Sequence, residues 1–351
     1  MAVKSRGILL FLLLSSIFST SFSDTDQILN SKKPTPSTSV HSLASSFAFQ
    51  IKGNVYPIGY YTVNLAIGNP PKLYDLDIDT GSDLTWLQCD APCRGCTIPK
   101  NRLYKPRGNV VKCVDPLCTG VQSAPPCAVA NEQCDYEVDY ADHGSSLGVL
   151  VRDYIPVKFT NGSLARPILG FGCGYDQTHP GQNPPPTTAG VLGLGNGKTS
   201  IVSQLHSLGL IRNVIGHCLS GRGGGFLFFG DQFIPQSGVV WTPILQSSSV
   251  QHYKTGPADL LFDGKPTSVK GLELIFDSGS SYTYFNSRAH KALVDLKHGN
   301  VCLGILDGTE IGLGNINIIG DIFLQDKIVI YDNEKRQIGW ASAKCGGPSK
   351  S

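Results

Sequence analysis

Asp79 and Asp277 each end a short apolar run, Leu76-Asp-Ile-Asp79 and Leu274-Ile-Phe-Asp277. Each opens the same tail, Thr80-Gly81-Ser82 after the first and Ser278-Gly279-Ser280 after the second. One aspartate beside a glycine is an ordinary turn. Two in matched settings can do acid–base chemistry, because carboxylates held face to face cannot both ionise and so share one proton. The ionised member takes a proton from water as general base while the protonated member hydrogen-bonds a carbonyl, and the pair titrates as a unit in acid. Such a pair hydrolyses an amide without a covalent intermediate, and the sequence predicts no metal and no cofactor. Gly81 and Gly279 let backbone N–H groups approach the carboxylates, and the hydroxyls of Thr80, Ser82, Ser278 and Ser280 can orient them.

Strands must bring these residues together. Residues 60–68 alternate apolar and polar, Asn69-Pro-Pro71 turns the chain, and residues 73–78 alternate again into Asp79. Each aspartate is followed by an apolar pair and a glycine, Val191-Leu-Gly193 and Ile318-Ile-Gly320, so one pattern occurs twice and predicts two related lobes. Asp79 precedes Val191 by 112 residues, whereas Asp277 precedes Ile318 by 41, so the second lobe is short. After Asp277 the pattern predicts a helix capped at Asn286-Ser287, with Ala289, Leu293, Val294 and Leu296 on its apolar face, and then a strand over 301–305. Residues 136–151 read as a hairpin whose tip carries Tyr140, the shape of a lid.

The 351 residues are 41% hydrophobic and 16% charged, enough for one large or two medium cores. Forty Gly, 22 Pro, 13 Tyr and 15 Phe favour strands and tight turns, so the fold class expected is mainly β. Lys4 and Arg6, an apolar run at 8–14 and small residues at 19–23 read as a signal peptide over residues 1–23. No later stretch approaches the roughly 18 apolar residues of a membrane span. Residues 24–56, rich in Ser, Thr, Pro and Lys, read as a linker or propeptide. The first lobe is expected over 57–240 and the shortened second over 241–345.

Entry into the secretory pathway predicts disulfides. Eleven cysteines are present: Cys89, Cys93, Cys96, Cys113, Cys118, Cys127, Cys134, Cys173, Cys218, Cys302 and Cys345. The spacing of Cys89, Cys93 and Cys96 also suits zinc, but oxidation and the nearby surplus of thiols favour disulfides. The glycines of residues 193–197 with Lys198-Thr199 imitate a phosphate loop, yet Leu192 stands where its first glycine is required. His143, His206, His217 and His252 show no spacing with a nucleophile, and Gly221–Gly225 reads as a hairpin turn. A formal charge of +2 without a basic run argues against nucleic acid as partner. Asn161-Gly-Ser163 is an acceptor for N-glycosylation.

The paired Asp-Thr/Ser-Gly-Ser motifs with their downstream apolar-apolar-Gly resemble the pepsin-like aspartic peptidases over about residues 57–345. The runs Asp79-Thr-Gly-Ser-Asp-Leu-Thr-Trp86-Leu-Gln-Cys89, Tyr140-Ala-Asp-His-Gly-Ser-Ser-Leu-Gly148 and Asp277-Ser-Gly-Ser-Ser-Tyr-Thr283 are similar to the plant nucellin-like members. The resemblance implies a bilobal double β-barrel with its cleft between the lobes, Asp79 and Asp277 as catalytic dyad, and Tyr140 as flap tyrosine supported by Trp86. Aromatics elsewhere are more often packing residues, so these two roles rest on the motif. The family carries a long stretch between the helix after the second aspartate and residues 301–305, and this chain lacks it. By the family pattern that stretch holds a partner for Cys302, which implies a free Cys302 thiol and a Cys218–Cys345 disulfide. The activity implied is acid endopeptidase, on polypeptide substrates, by a monomer of the apoplast or vacuole. The alternatives are a non-catalytic binding or inhibitor protein on the same scaffold and an inactive truncated isoform.

Overall fold

The computed structural model describes residues 46–121, 127, 129–180, 185–245, 252–296 and 304–348. Their architecture is mainly β, with a thirteen-stranded sheet, a five-stranded sheet and three short α-helices among the described residues. The first alternating runs become the antiparallel strands Tyr60–Ile67 and Lys72–Asp79, with Thr62 opposite Asp77. Their period of two sends Val63, Leu65, Ile67, Leu76 and Ile78 into the core.

The internal repeat is a repeat of structure. Gly190–Gly193 lies parallel to Lys72–Asp79, with Gly193 opposite Asp79. In the second sheet Asn317–Ile319 lies parallel to Leu272–Phe276, with Ile319 opposite Phe276. Each aspartate therefore leaves the end of a strand whose parallel neighbour is the apolar-apolar-Gly segment. That second sheet runs Lys254–Ala258, Leu272–Phe276, Asn317–Ile319, Thr283–Phe285, Ile305–Asp307. The predicted helix is Ser287–Leu296; Asn286 Oδ1 accepts the Ala289 N–H at 3.0 Å, and Ala289 and Leu293 are buried. The strand expected over 301–305 overlaps the observed Ile305–Asp307 at Ile305 alone, and residues 297–303, Cys302 among them, lie outside the described residues.

Two expected boundaries differ. The linker was expected to reach residue 56, but Phe47–Asn54 is a strand paired with Gly225–Phe229 on one side and Tyr60–Ile67 on the other. Phe47 stacks on Phe229, ring centroids 4.8 Å apart, and Ile51 is buried; the polar composition upstream hid this spacing. The lobe boundary at 240/241 falls inside the strand Val240–Pro243. Six antiparallel strands, Val240–Pro243, Gln337–Ser342, Lys327–Asp332, Val214–Leu219, Gly225–Phe229 and Phe47–Asn54, are drawn from both halves and tie them together. The signal-peptide segment, residues 1–23, is outside the described residues.

Five disulfides join Cys89 to Cys173, Cys93 to Cys96, Cys113 to Cys127, Cys118 to Cys134, and Cys218 to Cys345. Four lie in the first half. The fifth pins the last strand segment to Val214–Leu219. The sulfurs weighed as zinc ligands, at Cys89, Cys93 and Cys96, are thus all taken up in covalent pairs.

Candidate active site

Asp79 and Asp277 meet where the two sheets approach. Asp79 is buried and Asp277 half-buried. Each carboxylate is held by its own tail. Gly81 N–H donates to Asp79 Oδ1 and Gly279 N–H to Asp277 Oδ1, both at 2.8 Å. The Ser82 hydroxyl donates to Asp79 Oδ2, and Ser280 Oγ does so to Asp277 Oδ2 at 2.7 Å.

Beneath the carboxylates the two loops clasp each other. Thr80 N–H donates to Ser278 Oγ at 3.1 Å and Ser278 N–H to Thr80 Oγ1 at 2.9 Å. The Thr80 hydroxyl donates across to Phe276 O and the Ser278 hydroxyl to Ile78 O, each at 3.0 Å. All four bonds cross between the halves, so neither aspartate can move without the other loop. The glycines are dictated by this closeness: a Cβ on Gly81 would lie 2.6 Å from Asp277 Oδ1, and one on Gly279 would lie 2.6 Å from Asp79 Oδ1.

Burial raises the Asp79 carboxyl far above the usual carboxylate range, and the charge of Asp277 adds to it. The hydrogen bonds from Ser82 and Gly81 oppose the rise without cancelling it. Asp79 is therefore the member of the pair that holds its proton where a free carboxyl has lost it. Two further carboxyls, which the motif reading missed, lie in the same buried zone. Asp77 is raised to about 7 by burial, against a 2.8 Å hydrogen bond from the Thr188 hydroxyl. Asp321, directly after Ile318-Ile-Gly320, is raised by burial and then by Asp277, Asp79 and Asp77. The sequence signal available for it was its position in the repeat; its burial is a tertiary fact.

The expected hairpin is Asp135–Asp139 with Ser145–Tyr154, Asp139 opposite Ser145, and Tyr140 begins the turn between them. Trp86 Nε1–H donates to Tyr140 Oη at 2.6 Å. Trp86 is buried in the strand Trp86–Gln88 between Gly190–Gly193 and Ile168–Thr178, so the hairpin tip is moored to the sheet that carries Asp79. Tyr140 is also close enough to Asp79 for the carboxylate charge to raise the phenol, after burial has done so. Asn161 is exposed in the turn after Val157–Lys158, its Oδ1 accepting Ser163 N–H at 2.9 Å. No helix among the described residues is long and apolar enough to cross a membrane.

Two lobes, each presenting an aspartate from the same strand pair into one cleft, define the pepsin-like aspartic protease fold, and the chain belongs to that family. Residues 61–231 match the family description xylanase inhibitor N-terminal, and residues 245–342 match xylanase inhibitor C-terminal. An aspartic proteinase of Oryza sativa subsp. japonica is 37% identical over 380 aligned positions, covering 86% of this chain and 92% of its own length. Aspartic proteinase 39 of Arabidopsis thaliana is 27% identical, covering 84% of this chain and 76% of its own. The crystal structure of basic 7S globulin from soybean shares the fold at a TM-score of 0.67 and 15% identity, over 86% of this chain and 96% of that one. The rice alignment uses 86% of 351 residues, about 302, so about 78 of its 380 positions are filled by the rice protein alone.

Proposed function

We propose that the protein is an aspartic-type endopeptidase that hydrolyses peptide bonds of extended polypeptides at acid pH, with Asp79 and Asp277 as its dyad. The observation that carries the reading is the reciprocal clasp of Thr80 and Ser278, which ties together the two loops that present Asp79 and Asp277. Water between the carboxyls loses a proton to the ionised oxygen and attacks the peptide carbonyl, which takes a hydrogen bond from the protonated one. The tetrahedral intermediate collapses when the leaving nitrogen is protonated by the same pair. Tyr140, moored by Trp86, closes over the scissile bond and excludes water.

In this reading the protein enters the secretory pathway, acts as a monomer in the apoplast or vacuole, and carries a glycan on Asn161. In this reading the chain lacks a stretch between the helix Ser287–Leu296 and the strand Ile305–Asp307, and the rice alignment supports a shorter chain without locating the gap. The unfilled positions of that alignment, and the match to xylanase inhibitor families, favour a second reading as a non-catalytic binding protein or inactive isoform.

Acid-pH cleavage of a denatured protein by the purified monomer, with and without pepstatin, separates the two. The expected result is pepstatin-sensitive cleavage that falls about 100- to 10,000-fold in Asp79→Asn. Trp86→Phe should slow it about tenfold, the order of one lost hydrogen bond. A folded monomer that cleaves nothing would turn the assignment to the second reading.

A further inference from the structure

The loop that presents Asp277 rests on one turn of helix, and that turn is tied back to the first half of the chain. The helix is Asp321–Leu324, directly after Ile318-Ile-Gly320. Asp321 N–H donates to Ser280 O at 2.7 Å and Ile322 N–H to Ser281 O at 3.1 Å, so the start of the helix holds two carbonyls of the Asp277 tail. Gly320 N–H donates to the Thr283 hydroxyl at 3.1 Å, which fixes where the helix begins. At its far end Gln325 Nε2 donates to the Tyr61 hydroxyl at 3.0 Å, and that hydroxyl gives its own proton to Ser220 O at 2.9 Å. Tyr61 lies on Tyr60–Ile67, the strand paired with the one that ends at Asp79, and is only 1% exposed. A second tie is made just before that strand, where the Ser281 hydroxyl donates to Gly59 O. The two ties bracket the helix, and they share no residue with the clasp of Thr80 and Ser278.

We propose that Tyr61 and Gln325 are positioning residues for the dyad: Tyr61 holds Gln325, Gln325 ends the helix Asp321–Leu324, and the helix supports the loop that presents Asp277 to Asp79. Both act through that loop. Tyr61 is buried, so the loss of its partner costs more than a surface hydrogen bond would. Dyad chemistry is sensitive to small misplacement, so slack in this support lowers turnover before it lowers binding of a long substrate. The effect on turnover rests on the peptidase reading; the tie itself does not.

Two measurements test these separately. In urea unfolding of the full chain, a double-mutant cycle of Tyr61→Phe with Gln325→Leu should show coupling of about fivefold in the unfolding constant, the order of one hydrogen bond. In acid cleavage of a peptide, Tyr61→Phe and Gln325→Leu should each lower kcat about tenfold at unchanged KM, and Gln325→Lys, whose ammonium can still donate to Tyr61, should recover most of it. Should Tyr61→Phe fail to fold, the comparison of Gln325→Leu with Gln325→Lys decides, in unfolding and in kcat alike. Coupling without cleavage by the unaltered protein would overturn the peptidase reading, and the positioning role with it, and leave the tie standing. Additive unfolding would overturn the tie. Coupled unfolding with kcat unchanged in the variants of an active protein would overturn the positioning role.

Discussion

The buried titratable side chains act in opposite directions on stability. Burial lifts Asp77 from 3.8 to about 7, so between those values the folded chain holds a proton that the unfolded chain has lost. Its contribution is full below 3.8 and is lost as pH rises through about 7. His217 behaves in reverse, since burial pulls it from 6.5 to about 3. Its contribution is full above 6.5 and is lost as pH falls toward 3. Near pH 5 the two slopes oppose each other. Asp77→Asn keeps an acceptor for Thr188 and removes one slope, so its stability in urea should decline less between pH 4 and 7, by at most about 4 kcal/mol. Identical slopes in the variant and the unaltered chain would show that Asp77 ionises in the folded state as it does in water. Such effects could not be read from the chain: Asp79 and Asp277 stood out because their setting repeats, whereas Asp77, Asp321 and His217 differ from surface residues only in what surrounds them.

Among the elements, those with strong local signals were legible. The strands of residues 60–79, the hairpin around Tyr140 and the helix Ser287–Leu296 all follow from alternation, turn residues or a cap. The strand Phe47–Asn54 was missed because its buried residues, Phe47 and Ile51, sit beside a polar leader and become regular only against Phe229 and Val63. Among the described residues the edge strand Ile305–Asp307 pairs with Thr283–Phe285 alone, and Leu306 is 41% exposed. Cys302, just before it, is expected to remain a free thiol, given that ten of the eleven cysteines are paired. Thiol titration of the unfolded, unreduced chain should return one group per molecule. A value of zero, with a Cys302 disulfide in the non-reduced peptide map, would contradict this.

At the scale of the whole molecule, the repeat in the sequence foretold two lobes, but not that strands from both halves form one connecting sheet. That sheet explains how a second half with a five-stranded sheet can still face the first. Asp277 is set by the strand Leu272–Phe276, by Asn317–Ile319 beside it, and by the clasp to Thr80, all of which are retained. With 41 residues from Asp277 to Ile318, the second half still presents Asp277 to Asp79. Calorimetric titration of the purified monomer with pepstatin at pH 4 tests it most directly, because a mimic of the tetrahedral state needs both carboxyls at once. One-to-one binding that weakens at least about 100-fold in Asp277→Asn is expected. No binding by the folded, unaltered chain, or equal binding by the variant, would contradict it.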